Sequence, residues 1–297
     1  MNKTVIALGF FDGLHRGHAE LIRMTINRAA EYGAEPTVLT FDTHPDTYVC
    51  GREVPLLTNS DERAEIIRRL FGVENVMFIH FSEEVMHMPW YGFLDSLRCE
   101  LGAVHLVVGH DFHFGFRGEG DAARLREYCA ENGMGCDVIP PVKLHGMVIS
   151  STRIRTLVQD GKIAEANELL GHPHELTDIV RYGYKLGRRM GTPTINMRVP
   201  EHVIVPRFGV YATKVYFEGE RHIAVTNVGV RPTVNHGTEP SVESYILDYS
   251  GNLYGKRVRV EFMSFLRPER EFESIDALKS QIAMDESAAR AYFAENK

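Results

Sequence analysis

The stretch "GFFDGLHRGH", Gly9–His18, follows the apolar run "TVIALG" and precedes a run with helical spacing. A short apolar strand, a glycine-bearing turn and then a helix form the opening unit of a parallel α/β sheet. A helix N-terminus presents unpaired N–H groups and a partial positive charge, so phosphate sits well there. This turn holds no lysine of the P-loop kind; it holds His15 in the loop and His18 in the first helical turn. Gly13 and Gly17 are expected to let the backbone approach a ligand closely. Imidazole donors aimed at an α-phosphate would stabilise the charge that develops on it as pyrophosphate leaves, which is nucleotidyl transfer by positioning. Without the strand before them, two such histidines would read as ordinary surface residues.

The same alternation continues to about Val142. The runs "PTVLTF", "ENVMFIHF", "AVHLVVG" and "CDVIPP" are nearly continuous in hydrophobicity, as strands buried on both faces require. Between them, one helical face carries Leu21, Ile22, Ile26, Ala29 and Ala30, a second Ala64, Ile67, Leu70 and Phe71, and a third Phe93, Leu94, Leu97 and Leu101. Gly33, Gly72 and Gly102 follow these faces at the positions of helix C-caps. "GDAARLREYCAENG" supplies a fourth helix. The expected fold is a doubly wound parallel sheet, with ligands beyond the carboxyl ends of the strands.

After Ile149 the pattern changes. "STRIRTLVQDGKIAEANELLG" reads as two short helices and "GHPHELTD" as a linker. "GVYATKVYF" and "RHIAVTNVGV" flank "EGE" as a hairpin, and "SVESYILDY" and "KRVRVEFMSFL" flank "SGNLYG" as another. "RVRVEF" alternates as a strand with one buried and one wet face. These strands predict a small antiparallel β-barrel, closed by a terminal amphipathic helix with Ser274 as its N-cap. The expected domains are residues 1–170 and 179–297, joined by a linker over 171–178.

Length and composition fit two soluble globular domains: 297 residues, 44% hydrophobic and 25% charged. A net charge of -7 argues against nucleic acid as a partner, since phosphate backbones demand clustered Lys and Arg. No apolar run approaches the roughly 20 residues that cross a bilayer, and Asp12 interrupts the only signal-like start. Cys50, Cys99, Cys129 and Cys136 form no CxxC pair, so reduced thiols in the cytoplasm are expected. His110 and His113 make an HxxH without a third ligand in view, and are not read as a metal site.

"GFFDGLHRGH" resembles the HxGH motif of the nucleotidylyltransferase superfamily. "ISSTRIR", Ile149–Arg155, is similar to its downstream triphosphate motif, although alone it would read as a helix cap. "VVGHDFHFG" resembles a block of the bacterial riboflavin kinase/FMN adenylyltransferases, and the likeness runs the length of the chain. It implies ATP and phosphate contacts at Gly9, Phe11, Gly13, Gly17, Ser151, Thr152 and Arg155, with His15 and His18 catalytic. Hydroxyls beside a guanidinium suit phosphate oxygens. Asp111 and Phe112 are implied flavin contacts. The chain departs from the family at His113, where Arg is usual, at Arg117, which stands one position early, and at Thr43, where proline is common.

In the second half, "GRRMGTPTIN" resembles the kinase motif GRxLGxPTxN, with Ile195 in place of alanine. The likeness places Gly187 and Gly191 over the triphosphate, with Gly183 nearby, and implies a Mg2+ ion held by Thr194 and Asn196. Glu243 in "SVESYILDY" is the implied base; Tyr245, on the same strand face, stands where histidine is common, and Arg267 is a further flavin contact. "FLRPEREFESIDALKSQI" otherwise reads as a solvated surface. The implied partners are riboflavin, FMN, FAD and ATP, in two magnesium-requiring steps. The competing readings are a chain with only its kinase half active and a flavin-sensing regulator.

Overall fold

The structure, a computed structural model, describes residues 2–44, 46–47, 51, 53–182, 192–232 and 238–296. The chain forms two compact units: Met1–Val54 with Thr58–Ser151, and Pro55–Leu57 with Thr152–Lys297.

In the first unit, β1 (Thr4–Leu8), α1 (Arg16–Tyr32), β2 (Glu35–Phe41), α2 (Ser60–Phe71) and β3 (Asn75–Ile79) build outward to one side. The chain then passes α3 (Glu83–His87) and α4 (Trp90–Leu101), crosses back to β4 (Ala103–Gly109), and continues through α5 (Ala122–Glu131) to β5 (Gly135–Ile139). All neighbours are parallel in the order β3-β2-β1-β4-β5. The strand order reverses between β1 and β4, so a crevice opens beyond Leu8 and Gly109.

Alternation along β1 serves two cores: Ile6 and Leu8 pack against Phe93, Leu94, Leu97 and Leu125 on one face, and Val5 and Ala7 against Ile22, Ala29, Ile66 and Ile67 on the other. The five expected strands and four helices are all present, with Gly33, Gly72 and Gly102 as left-handed caps. Ala30 and Leu70, assigned to buried faces, are exposed; Thr25 and Ile66 hold those places instead. A two-strand ribbon follows, β6 (Lys143–Leu144) with β7 (Met147–Val148).

The second unit opens with the two short helices, α6 (Ser151–Gln159) and α7 (Ile163–Leu170). The stretch read as a linker holds most of β8 (His174–Ile179), which pairs with the last strand of the sheet, Ile179 against Arg257 and His174 against Phe262. It is followed by β9 (Thr194–Arg198), β10 (Gly209–Phe217), β11 (Glu220–Pro232), β12 (Thr238–Ile246) and β13 (Arg257–Arg267). The antiparallel sheet runs β8-β13-β10-β11-β12-β9. It curls until Arg181, just past β8, donates its backbone N–H to Asn196 O on β9 at 2.8 Å.

The β10–β11 hairpin is as expected, but β12 and β13 are not a hairpin: β13 crosses to pair with β10 and β8. Nor is β13 wet on one face, because Glu261 is buried and Arg259 lies 4.2 Å over the Tyr216 ring. The terminal helix α8 (Ile275–Glu295), capped by Ser274, sets Ala289 and Phe293 on Val210, Ala212 and Val225.

His174 couples this packing to pH. Its ring is buried 5.9 Å from Phe262, its cross-strand partner, and Nε2 has no partner among the described residues. Burial, reinforced by His172, pulls its pKa down to about 3. An unfolded histidine protonates near pH 6.5 (about its ordinary value), so this stabilisation is complete above that pH and erodes as pH falls toward 3. The unfolding midpoint in urea is expected to drop between pH 7 and pH 4, and less steeply for His174→Gln. Equal slopes for the two proteins would contradict this.

Candidate active sites

Beyond β1 the chain turns through Phe11, Gly13 and Leu14, with φ of 54°, 75° and 47°. Two non-glycine residues in the left-handed region store strain of about 1–3 kcal/mol each, so the turn must be held by its surroundings. Phe11 and Leu14 are buried in the core, Thr58 N–H donates to Asp12 Oδ1 at 3.1 Å, and Gly13 N–H donates to Thr58 Oγ1 at 3.2 Å. Ser151 Oγ donates to Asp12 O at 2.9 Å. Phe11 therefore offers a ligand only its backbone. Gly13 N–H is already engaged.

His15 caps α1: its Nδ1 accepts the His18 N–H at 3.2 Å. That bond leaves Nδ1 without a proton, so the neutral ring carries its N–H on Nε2. The His15 and His18 rings stack at 3.6 Å between centroids, 13° from parallel. A Cβ on Gly17 would lie 3.0 Å from the His15 ring, so this glycine makes room for the imidazole itself. Burial, His15 and Arg63, in that order, hold the His18 pKa well below its ordinary value. The turn thus presents two stacked imidazoles at a helix N-terminus, of which His18 stays neutral. Such donors bind an anion without a proton changing hands.

The loop after β4 lies on the other side of the crevice. Phe112 stacks on Phe114 at 5.7 Å and joins the core, Asp111 is exposed, and His113 Nδ1 lies 2.9 Å from Asp111 O. Arg117, at φ 54°, sits 5.1 Å over the Phe116 ring. Thr152 and Arg155 fall on α6 in the second unit, Thr152 exposed and Arg155 half-buried.

The second site is set by strand register. Across β9, β12 and β11, Asn196 faces Glu243, which faces Asn227; one step along, Thr194 faces Tyr245, which faces Val225. Cross-strand partners share a sheet face, so Thr194, Asn196, Glu243 and Tyr245 come together. Thr194, Glu243 and Tyr245 border a cleft of about 270 Å³, whose lining also includes Asn227 and Arg267; Asn196 is buried beside them. Burial raises the Tyr245 pKa, so its phenol is neutral there. A smaller hollow, lined by Ile195, Tyr249 and Tyr254 among others, also touches Thr194. The oxygens of Thr194 and Asn196 are hard, neutral donors two residues apart on one face. That set suits a magnesium ion that keeps its waters and takes its remaining ligands from phosphate.

The far wall is the segment after β13. Arg267 Nε and Nη2 donate to Asp285 at 2.9 and 2.8 Å, and Gln281 Nε2 donates to Asp285 Oδ1 at 2.7 Å. Asn227 Nδ2 donates to Glu269 Oε1 at 2.9 Å. A Cβ on Gly229 would lie 2.2 Å from that oxygen, so the glycine seats Glu269.

Sequence comparison agrees with this division. The FAD synthetase family model matches residues 1–153 and the riboflavin kinase model residues 170–293. Relatives named bifunctional riboflavin kinase/FMN adenylyltransferase are 35% identical in Listeria monocytogenes (98% of this chain, 93% of the relative) and 34% in Bacillus subtilis (98% and 93%). The Escherichia coli K12 relative of that name is 33% identical (99% and 94%). The chain belongs to the bifunctional riboflavin kinase/FMN adenylyltransferase family. A crystal structure titled macrolide-efflux protein, from Streptococcus pneumoniae, superposes with a TM-score of 0.87 at 31% identity, covering 97% of this chain and 94% of that one. Among the described residues here, no helix is long and apolar enough to cross a membrane.

Family motifs found the strand residues of the kinase-type cleft and Arg267, but not the rest of its far wall. Glu269, Arg270 and Phe272, within a stretch read from sequence as solvated surface, line the cleft instead, as does Asp285. The signal was present in "RPEREF", where charges and an aromatic share a strand-to-helix passage too short to leave the barrel rim. Gly183, Gly187 and Gly191 lie outside the described residues. Because Asp285 is buried and its removal strands a guanidinium, Asp285→Ala is expected to cost the second unit about 2–3 kcal/mol in urea unfolding. A change under about 0.5 kcal/mol, the size of an ordinary surface substitution, would contradict that.

Proposed function

We propose that the chain makes flavin cofactors in two ATP-dependent steps, phosphorylating riboflavin to FMN in the second unit and adenylylating FMN to FAD in the first. The observation that carries this reading is that one chain holds both a stacked imidazole pair at a helix N-terminus and a carboxylate in register with Thr194 and Asn196. In the kinase step, Glu243 accepts the proton of the ribityl 5′-hydroxyl as its oxygen bonds to the γ-phosphorus and the bond to ADP breaks. General-base help of this kind contributes about 10²- to 10⁴-fold. Thr194 and Asn196 would hold Mg2+, which neutralises phosphate charge when bound. The hollow that shares Thr194 suits the nucleotide, and the larger cleft suits the flavin.

In the adenylyl step, an FMN phosphate oxygen attacks the α-phosphorus of ATP and pyrophosphate leaves. The attacking oxygen is already ionised, so no general base is required. His15 and His18 donate N–H groups to the non-bridging oxygens, where charge develops, and Ser151, in the same unit, serves the leaving polyphosphate. Asp111 and Phe112 are assigned to the flavin end of this centre, and Arg267 with Tyr245 to the flavin of the kinase cleft. A cytoplasmic place belongs to the same reading, supported by the free thiols of Cys99, Cys129 and Cys136.

Chromatography of flavins after incubation with riboflavin, ATP and magnesium tests both halves. His15→Ala with His18→Ala is expected to accumulate FMN. Glu243→Ala is expected to leave riboflavin unused while still converting added FMN to FAD. FAD at the wild-type rate from the first variant would remove the histidines from catalysis, and normal phosphorylation by the second would remove Glu243. FMN without FAD from the wild-type protein would leave only a kinase, and flavin binding without product a sensor.

A further inference from the structure

Arg63 stands on α2, whose neighbouring arginines, Arg68 and Arg69, face solvent; Arg63 is fully buried. Among the described residues, its hydrogen bonds go to neutral oxygens. Nη1 donates to Thr40 Oγ1 at 3.1 Å and to Phe41 O at 2.8 Å, and Nη2 donates to Thr58 O at 3.4 Å. Its guanidinium carbon lies 4.3 Å from the Phe10 ring centroid, and Nε is buried without a hydrogen-bond partner among the described residues. Burying a guanidinium costs several kcal/mol; Asp12 and Asp42 act on it electrostatically, while its hydrogen bonds go to neutral oxygens. A helix that needed only to pack would put an apolar residue there. The protein keeps a charge.

We infer that Arg63 is a positioning residue for adenylyl transfer, locking the Phe10–Leu14 turn through Thr58 and setting a fixed positive charge behind His18. The inference rests on the adenylyl-transfer role proposed for that turn. The contacts form a chain. Arg63 holds the Thr58 carbonyl, Thr58 holds Asp12 and Gly13, and those two residues hold the left-handed backbone from which His15 and His18 extend. Phe10, at the head of the turn, lies on the guanidinium face.

The charge acts beside the geometry. His18 is acted on by His15 from the turn and Arg63 from α2, both opposing a second proton; Asp12 and Asp42 act on Arg63 from the turn and from the end of β2. Burial brings the Arg63 pKa down to about 10 against those two carboxylates, which still leaves it charged at neutral pH. His18 therefore stays a neutral donor stacked on His15.

The test uses the full chain and follows kcat/KM for FMN adenylylation from pH 5 to pH 8, with riboflavin phosphorylation by the same sample as the reference. Arg63→Met is expected to slow adenylylation at least about tenfold and to move its acid limb up toward the ordinary histidine value, leaving phosphorylation unchanged. Arg63→Lys keeps the charge but not the fork; its acid limb stays at the wild-type pH while kcat falls about tenfold. An Arg63→Met protein with the wild-type limb and rate would overturn the inference. If Arg63→Met fails to fold, as Trp90 emission reports, Arg63→Lys decides, and a wild-type rate from it overturns the inference equally. Failure of the underlying reading would look different: the His15→Ala/His18→Ala protein would make FAD normally.

Discussion

Thr58 holds the turn on which the first centre depends. Its backbone N–H goes to the Asp12 carboxylate, its hydroxyl takes the Gly13 N–H, and its carbonyl takes Arg63. Without this three-way tie, the left-handed Phe11 and Leu14 would relax, since each is worth about 1–3 kcal/mol of strain. The imidazoles would then lose the frame that stacks them. A turn of this kind is built backwards: the imidazoles proposed to meet the phosphate are placed by residues that lie behind them.

The barrel solves the same problem with register in place of a strained turn. Thr194, Asn196, Glu243 and Tyr245 lie on two paired strands, and the pairing of Asn196 with Glu243 puts carboxylate and metal-type oxygens on one face. A slip of one residue would turn every one of them to the other face. Val242, Ser244 and Ile246, all buried, stand against such a slip. The wall opposite is held by ion pairing and a tether: Asp285 fixes Arg267, and Glu269, seated on Gly229, fixes Asn227.

The sequence made legible what is local. Strand, turn and helix alternate in the first half because each buries a face with its own period, and the histidines of "HRGH" announce themselves by standing at a helix start. What it hid is non-local. Arg63, within "SDERAEII", looks like one more charge on an amphipathic helix; only the approach of Thr40, Phe41 and Thr58 makes it a buried cation. The pairing of β12 and β13 looked like a hairpin because they are consecutive, but residues 247–256 carry the chain across β11 and β10 instead. Likewise "GHPHELTD" looked like a linker, and became β8 because β13 offered it an edge.

Two centres drawing on different phosphorus atoms of ATP leave different isotopic marks. The decisive measurement is the fate of label from α-³²P-ATP and γ-³²P-ATP during conversion of riboflavin by the wild-type protein. The account predicts γ-label in both FMN and FAD, and α-label in FAD alone. Label from the α-position in FMN, or flavin products without γ-label, would contradict it.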